Sequence, residues 1–215
     1  MKERPILMSA PMVCATLDDR KTQTRRVMKS QPVDVCHVIG FSGNNWGYLQ
    51  QTGLAIDDHA EKWIPCPYEV GMRLWVRETW CPLDAPDHFA DPSKPKDFMI
   101  YGRRNGAAYR AECNDAEGER CRKELGYRWR PSIFMPRWAS RITLEITEVR
   151  VERLQEISEE DARAEGVRPV NEQVELLGEY RIGYVKLWDS LNAKRGLGWD
   201  KNPWVWVIGF KRVTI

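Results

Sequence analysis

Three groups of side chains carry reactive chemistry at positions where structure alone does not ask for it. The first is Lys21 with Thr24, inside the run Arg20-Lys21-Thr22-Gln23-Thr24-Arg25-Arg26. A lysine amine can act as general base for a threonine hydroxyl when burial or neighbouring cations hold the ammonium below its usual pKa. Arg20, Arg25 and Arg26 are such neighbours. A carboxylate can then orient the pair, the general logic of nucleophile, base and orienting group. An ideal strand would put Lys21 and Thr24 on opposite faces, so this chemistry requires Lys21 to lie in the turn before the strand. The other reading of the same run is a solvated basic strand that touches phosphates.

The second group is Glu165, at the end of an expected short helix and just before Gly166. A negative charge there opposes the helix dipole, at a cost of a few tenths of a kcal/mol up to about 1 kcal/mol. It is either an ordinary surface residue or a carboxylate aimed at a partner. The third is Glu78, which continues the face carrying Leu74 and Val76. It needs partners if buried, unless the strand ends there and releases it to solvent. Separately, Arg137-Trp138-Ala139-Ser140-Arg141 sets two guanidinium groups around an indole, a combination suited to phosphate contact and base stacking. The plain alternative for Trp138 is a core anchor before the next strand.

The elements that must position these groups are clearest at the two ends of the chain. Ser9 is placed to cap a short helix with Pro11 in its first turn. Residues 20–26 read as a turn and then a strand. From residue 27 to 69 no period is visible, and Pro32, Gly40, Gly43, Asn44, Asn45, Gly47 and Gly53 mark loops or a hairpin. Gly71 opens a strand over residues 73–78. Residues 82–96, rich in Pro and Asp, read as a surface insertion, and residues 103–130 are charged and poorly periodic. Ile142, Leu144 and Ile146 alternate with Thr143, Glu145 and Thr147 in a half-buried strand. Ser158 and Asp161 resemble a capping box at the start of a helix that Gly166 can end. Leu177, Tyr180, Tyr184, Leu187, Trp188 and Leu191 recur at helical spacing. Residues 204–210, after Pro203, are apolar enough for the middle of a sheet. The expected fold is one α+β domain over residues 1–215, a small mixed barrel with flanking helices and loop-rich insertions at about 28–69 and 82–136.

Composition bounds the partners. The 215 residues suffice for one sizeable core, and 42% hydrophobic with 30% charged residues argues against wholesale disorder. A net charge of +2 means that any nucleic-acid binding rests on a local patch. Ten Trp residues supply core anchors or stacking surfaces. None of the six Cys forms a CxxC pair and the three His do not cluster, so no metal site is expected. The N-terminal stretch is a poor signal peptide, and no run of about 18 apolar residues exists, so a cytoplasmic protein with reduced thiols and no membrane partner is expected.

The stretch DDRKTQTRR resembles the "GRKT-x-T-x-R" segment of the ASCH domain family, which is similar in fold to PUA RNA-binding domains. Residues 70–78, the strand followed by LQEISEEDARAEG, and the closing WVWVIGF fit the same resemblance, which covers about half of the chain. The longer chain with MPRWASRITLEIT is similar to the large ASCH-domain proteins of bacteriophages and prophages. The resemblance implies a PUA-like barrel with a cleft for a nucleobase or RNA. Small members are N4-acetylcytidine amidohydrolases that use a Lys, a Thr and a Glu, which fall on Lys21, Thr24 and Glu165. The implied reaction releases cytidine and acetate without a metal or organic cofactor. Arg25, Arg26 or backbone N–H groups would stabilise the oxyanion, and Glu78 would accept a hydrogen bond from a base or ribose. The alternatives are an RNA-binding module in which Lys21, Arg25, Arg26 and the Arg137, Trp138, Ser140, Arg141 segment hold the nucleic acid, a ribonuclease in the same cleft, and an interaction protein without catalysis. The small members are about half this length, and Asp19 stands where the pattern has glycine.

Overall fold

The computed structural model describes residues 2–52, 59–82, 107–112, 120, 128–169 and 179–213. Their elements, in chain order, are β1 (Glu3–Leu7), α1 (Ala10–Leu17), β2 (Gln23–Val27), β3 (Val35–Ser42), β4 (Asn45–Gln51), β5 (His59–Pro65), β6 (Arg73–Arg77), β7 (Trp80–Pro82), β8 (Ala107–Tyr109), β9 (Thr143–Arg153), α2 (Glu159–Ala164), α3 (Glu179–Asn192) and β10 (Trp204–Val213). The hydrogen-bonded strand orders are β1-β6-β9-β10-β2, β3-β4-β5 and β7-β8. The chain is therefore a mixed α+β protein, mostly strand. Among the described residues the sheets do not join into a closed barrel. Most of the expected 82–96 insertion, most of residues 103–130, and Leu177 lie outside the described residues. Two compact units emerge, one from Met1–Asp19, Arg73–Leu144 and Arg212–Ile215, the other from Arg20–Met72 and Glu145–Lys211.

The spine of the second unit is β10. Residues 204–210 are all buried, as a run without polar alternation requires. β2 runs antiparallel to it, with Val27 opposite Val205, Arg25 opposite Val207 and Thr24 opposite Ile208. One face of the pair, Val205 and Val207 with Val27 beside them, packs on Leu154, Ile157, Ala162, Tyr184 and Trp188. The opposite face carries Trp204 against Trp46 at 5.4 Å and Trp206 against Phe41 at 6.3 Å between ring centroids. An aromatic ring buried in this way removes roughly 150–250 Å² from water, on the order of 5 kcal/mol before entropy is subtracted.

For residues 28–69 the sequence offers loops or a hairpin; the structure has the hairpin β3–β4 and adds β5, an antiparallel meander over much of that stretch. The missing signal has a physical cause at Gly47, which faces Trp63 across β4 and β5. A Cβ on Gly47 would meet the Trp63 indole at 2.6 Å, so the cross-strand ring covers the space that a side chain would fill. Periodicity cannot register burial that a distant residue provides.

In the first unit β1 runs parallel to β6, from Glu3 opposite Arg73 to Leu7 opposite Arg77. Ser9 stands at the N-cap of α1 and Pro11 in its first turn, but the Ser9 hydroxyl makes no cap bond. Trp80, Ala107, Tyr109, Met135 and Ala139 form a buried cluster around β7 and β8. Just after α1, Asp19 takes φ +56°. This is the position at which the resemblance has glycine. A short polar residue tolerates the left-handed region, and the Asp19 carboxylate accepts from Arg212 Nη2 at 2.9 Å.

In the second unit Gly183 lies inside α3, where Ala would ordinarily be better by about 1 kcal/mol. Here a Cβ would sit 2.8 Å from the backbone oxygen of Arg168. Gly183→Ala is therefore expected to destabilise the protein by about 1–3 kcal/mol, read as a lowered urea midpoint. An unchanged or raised midpoint would show that this close approach does not constrain α3.

Candidate functional site

Lys21 precedes β2 in an irregular stretch that backbone and side-chain bonds tie to the end of α2. Thr22 N donates to Ala164 O at 2.9 Å, and Thr22 O accepts from Phe210 N at 2.8 Å. Arg20 Nη1 donates to Gly166 O at 3.1 Å. α2 begins as its sequence indicates, with Ser158 Oγ accepting from Asp161 N. It ends on Glu165, and Gly166 at φ +83° turns the chain away.

This geometry brings Lys21 to Glu165. The Lys21 ammonium donates at 2.8 Å to Gln23 O, Glu165 O and Glu165 Oε2. The side chains are 0% and 2% exposed. An ammonium has three protons, so its donors are fully used. The oddity of a carboxylate at a helix C-terminus disappears, because a cation contacts both the carboxylate and the last-turn carbonyl. Burial holds the Lys21 amine below its ordinary pKa, while the Glu165 charge pulls it back up.

Arg25 joins the same cluster. Its Nη2 donates to Asp161 Oδ2 at 2.7 Å and Glu152 Oε2 at 2.8 Å, and its Nη1 to Glu165 Oε1 at 3.4 Å. Its guanidinium lies 6.0 Å from the Tyr184 ring centroid. Burial works against the Arg25 charge, but the neighbouring Glu165, Tyr184, Asp161 and Glu152 outweigh it and leave its pKa raised. Arg150 closes the network by donating to Asp161 at 2.8 and 2.9 Å and to Glu152. Burial would raise the Asp161 carboxyl, but the two arginines hold it below its ordinary value. Burial and the Glu165 charge push the Tyr184 phenol well up.

Arg150, Glu152 and Asp161 are members of this site that the sequence did not single out. Asp161 was legible only as a capping residue. Its backbone N–H does bond Ser158, while its carboxylate serves Arg25 and Arg150. Arg150 and Glu152 look like charges on a solvated strand face until α2 covers them.

Thr24 is brought into β2 and buried, but not to Lys21. Gln23 Nε2 bonds Asp161 O, and Arg25 also faces α2. Strand alternation therefore directs Thr24 and Arg26 to the other face, opposite Ile208 and Trp206. Lys21 does lie before the strand, as the catalytic reading demands, with its three donors engaged elsewhere.

Glu78 and the Arg137–Arg141 segment belong to the first unit. β6 ends at Arg77, yet Glu78 does not reach solvent. Arg141 grips it with a two-pronged fork, Nε to Oε1 at 2.9 Å and Nη2 to Oε2 at 3.0 Å, and its Nη1 donates to Glu112. The Tyr109 ring lies 4.0 Å beneath the guanidinium. Ser140 is buried, its hydroxyl spent on Val76 O and Ile142 O. Trp138 is 53% exposed and is no core anchor. Arg137 pairs with Glu3 at 2.9 Å in a half-exposed contact. The segment thus turns Arg137 and Trp138 outward and commits Ser140 and Arg141 to internal bonds. No protein-family model, curated protein or solved structure matches the chain.

Burial raises the Glu78 carboxyl above its ordinary value of 4.5, and Arg141 only partly offsets this. A carboxyl with a raised folded pKa binds more protons in the native than in the unfolded state. The stability it contributes is whole below the unfolded value and is lost as pH rises through the folded one. Wild type should therefore lose denaturant resistance relative to Glu78→Gln as pH rises above the ordinary carboxyl value of 4.5. Parallel urea-midpoint profiles for the two proteins would overturn this assignment.

Proposed function

We propose that the chain is an ASCH domain of PUA-like fold that hydrolyses the N4-acetyl amide of N4-acetylcytidine or a related modified nucleoside, with Lys21, Thr24 and Glu165 as the reacting groups. The observation that supports this reading is the buried 2.8 Å pair between Lys21 and Glu165, which lie 144 residues apart. These are two of the three positions that the sequence resemblance picks out.

The pair suits proton handling. Lys21 becomes a base when it passes a proton to Glu165 Oε2, and burial, which disfavours both charges, reduces the cost of that transfer. The neutral amine then takes the proton of Thr24. Thr24 Oγ adds to the acetamide carbon, the cytosine amine leaves with a proton returned by the Lys21–Glu165 pair, and water cleaves the acetyl ester to acetate. Water attacking directly, with Thr24 orienting it, gives the same products. Arg25 is already committed to three carboxylates, so Arg26 or backbone N–H groups are the better oxyanion donors.

A second reading, binding of RNA without catalysis, is supported by the outward-turned Trp138 and Arg137, and a different observation disfavours catalysis. All three Lys21 donors are occupied and Thr24 faces away from them. In that reading the pair is a staple between the turn before β2 and the end of α2.

The test is release of cytidine from N4-acetylcytidine, followed by chromatography. Wild type is expected to turn over, and fastest at pH values where the Lys21–Glu165 pair holds a single shared proton. Thr24→Val, Lys21→Met and Glu165→Gln, each checked for folding, should lose about 100-fold or more. A well-folded wild type without turnover would sink the hydrolase reading and leave the binding one.

A further inference from the structure

We propose that the first unit carries a docking platform for single-stranded nucleic acid, built on Phe134 and Trp138 and flanked by Arg77, Arg130 and Arg137. This deepens the second reading above by naming the surface and the strandedness of its ligand, and it holds whether or not the amide is hydrolysed.

The charge pattern is local. Residues 128–142 contain four arginines and no aspartate or glutamate, in a chain whose net charge is only +2, and three of the four remain once Arg141, spent on Glu78 and Glu112, is set aside. Arg77 and Arg130 have no carboxylate partner among the described residues. Arg77 instead donates to Ile133 O at 3.1 Å and lies 4.6 Å from the Trp75 ring centroid, and Arg130 lies 5.6 Å from that of Trp80. Arg137 has Glu3, but half-exposed pairs of this kind are weak and exchange readily for another anion.

The apolar part is held out on a fixed backbone. Arg130 and Trp80 exchange backbone bonds at 2.7 and 3.2 Å. Met135 and Ala139 are fully buried, and Tyr109 Oη donates to Ala139 O at 2.8 Å. Two 3-10 turns, Ser132–Phe134 and Arg137–Ala139, follow Pro131 and Pro136. Between these anchors Phe134 is 69% exposed and Trp138 53% exposed. Trp138 is braced edge-on against Trp80 at 5.6 Å. Rings whose backbone is already ordered lose little entropy when a ligand stacks on them.

Exposed aromatic faces interleaved with guanidinium groups match a strand with free base faces and a phosphate backbone. A duplex hides its base faces, and so offers the rings nothing to stack on. The absence of acidic side chains in the segment disfavours a basic protein partner.

The test is fluorescence anisotropy with labelled oligo-uridine and oligo-thymidine of about 12 nucleotides, and with a duplex of the same length. The probes carry no acetyl group, so the result is independent of hydrolysis. Wild type should bind one or both single strands and bind the duplex more weakly; the two arms tell RNA from DNA as the source of the ligand. Phe134→Ala and Trp138→Ala should each weaken binding by about five- to 150-fold. Arg130→Ala should lower the slope of log affinity against log salt by about 0.7. Ile182→Ala, an exposed apolar residue on α3, should leave affinity unchanged. Trp138→Ala removes the contact to Trp80, so Phe134→Ala, whose ring is mostly in solvent, guards against misreading a folding defect. Failure of wild type to bind either strand, equal affinity for the duplex, or less than about a twofold effect of both ring removals would overturn the proposal.

Discussion

The second unit depends on where it puts one ammonium group. Moving a lysine charge out of water costs several kcal/mol even after relaxation. Lys21 is tolerated at 0% exposure because each of its three protons meets an acceptor. Two of those acceptors are main-chain carbonyls, Gln23 O and Glu165 O. The requirement therefore fixes backbone as well as side chains. The start of β2 and the end of α2 must converge on the same point, and the Thr22 to Ala164 and Arg20 to Gly166 bonds follow from that convergence.

The two charged clusters meet the cost of burial differently. In the second unit Lys21, Arg25 and Arg150 face Glu148, Glu152, Asp161 and Glu165, so among the described residues three cations meet four carboxylates, and the two arginines beside Asp161 keep it well ionised. Among the described residues of the first unit Arg141 alone stands between Glu78 and Glu112. Glu78 is nearly sealed from solvent, and one shared guanidinium does not cancel its desolvation, so its pKa moves up where that of Asp161 moves down. Neither cluster is by itself a sign of stability, since well-packed apolar groups can replace buried ion pairs at little or no cost. What such clusters supply is the penalty for any arrangement that leaves one member without its partners.

How far the sequence foretold this depends on what each residue signals by itself. β9 and α3 were legible because their apolar periods are carried by their own side chains, as at Leu144, Ile146, Tyr184 and Trp188, β10 because it is one apolar run, and α2 through the capping Ser158 and the Gly166 that ends it. β3 to β5 were not, because Gly47 is covered by Trp63 and β3 is mostly solvent-facing. Lys21, Glu165 and Glu78 stood out as charges in awkward places, and all three are buried and paired. Arg150 and Glu152 did not stand out, because alternating charges on a strand look the same whether the face is solvated or later covered. Trp138 read as an anchor before it read as a platform, and its exposure decides against the anchor.

Thr24 is where a catalytic and a structural account of the second unit part company. A staple needs Lys21, Glu165 and the carbonyls they share; it has no use for a hydroxyl at position 24. The side chain there is buried, opposite Ile208, on the face that carries Trp206. Valine has nearly the same shape, suits a strand at least as well and brings no polar atom to be desolvated. Packing alone does not call for a hydroxyl on that face. A nucleophile is one reason to keep it, and that reason requires Lys21 to release one of its three acceptors and turn toward the other face of β2. On that reading the Lys21 ammonium has two competing uses, and it takes up the second only by giving up an acceptor it holds in the first.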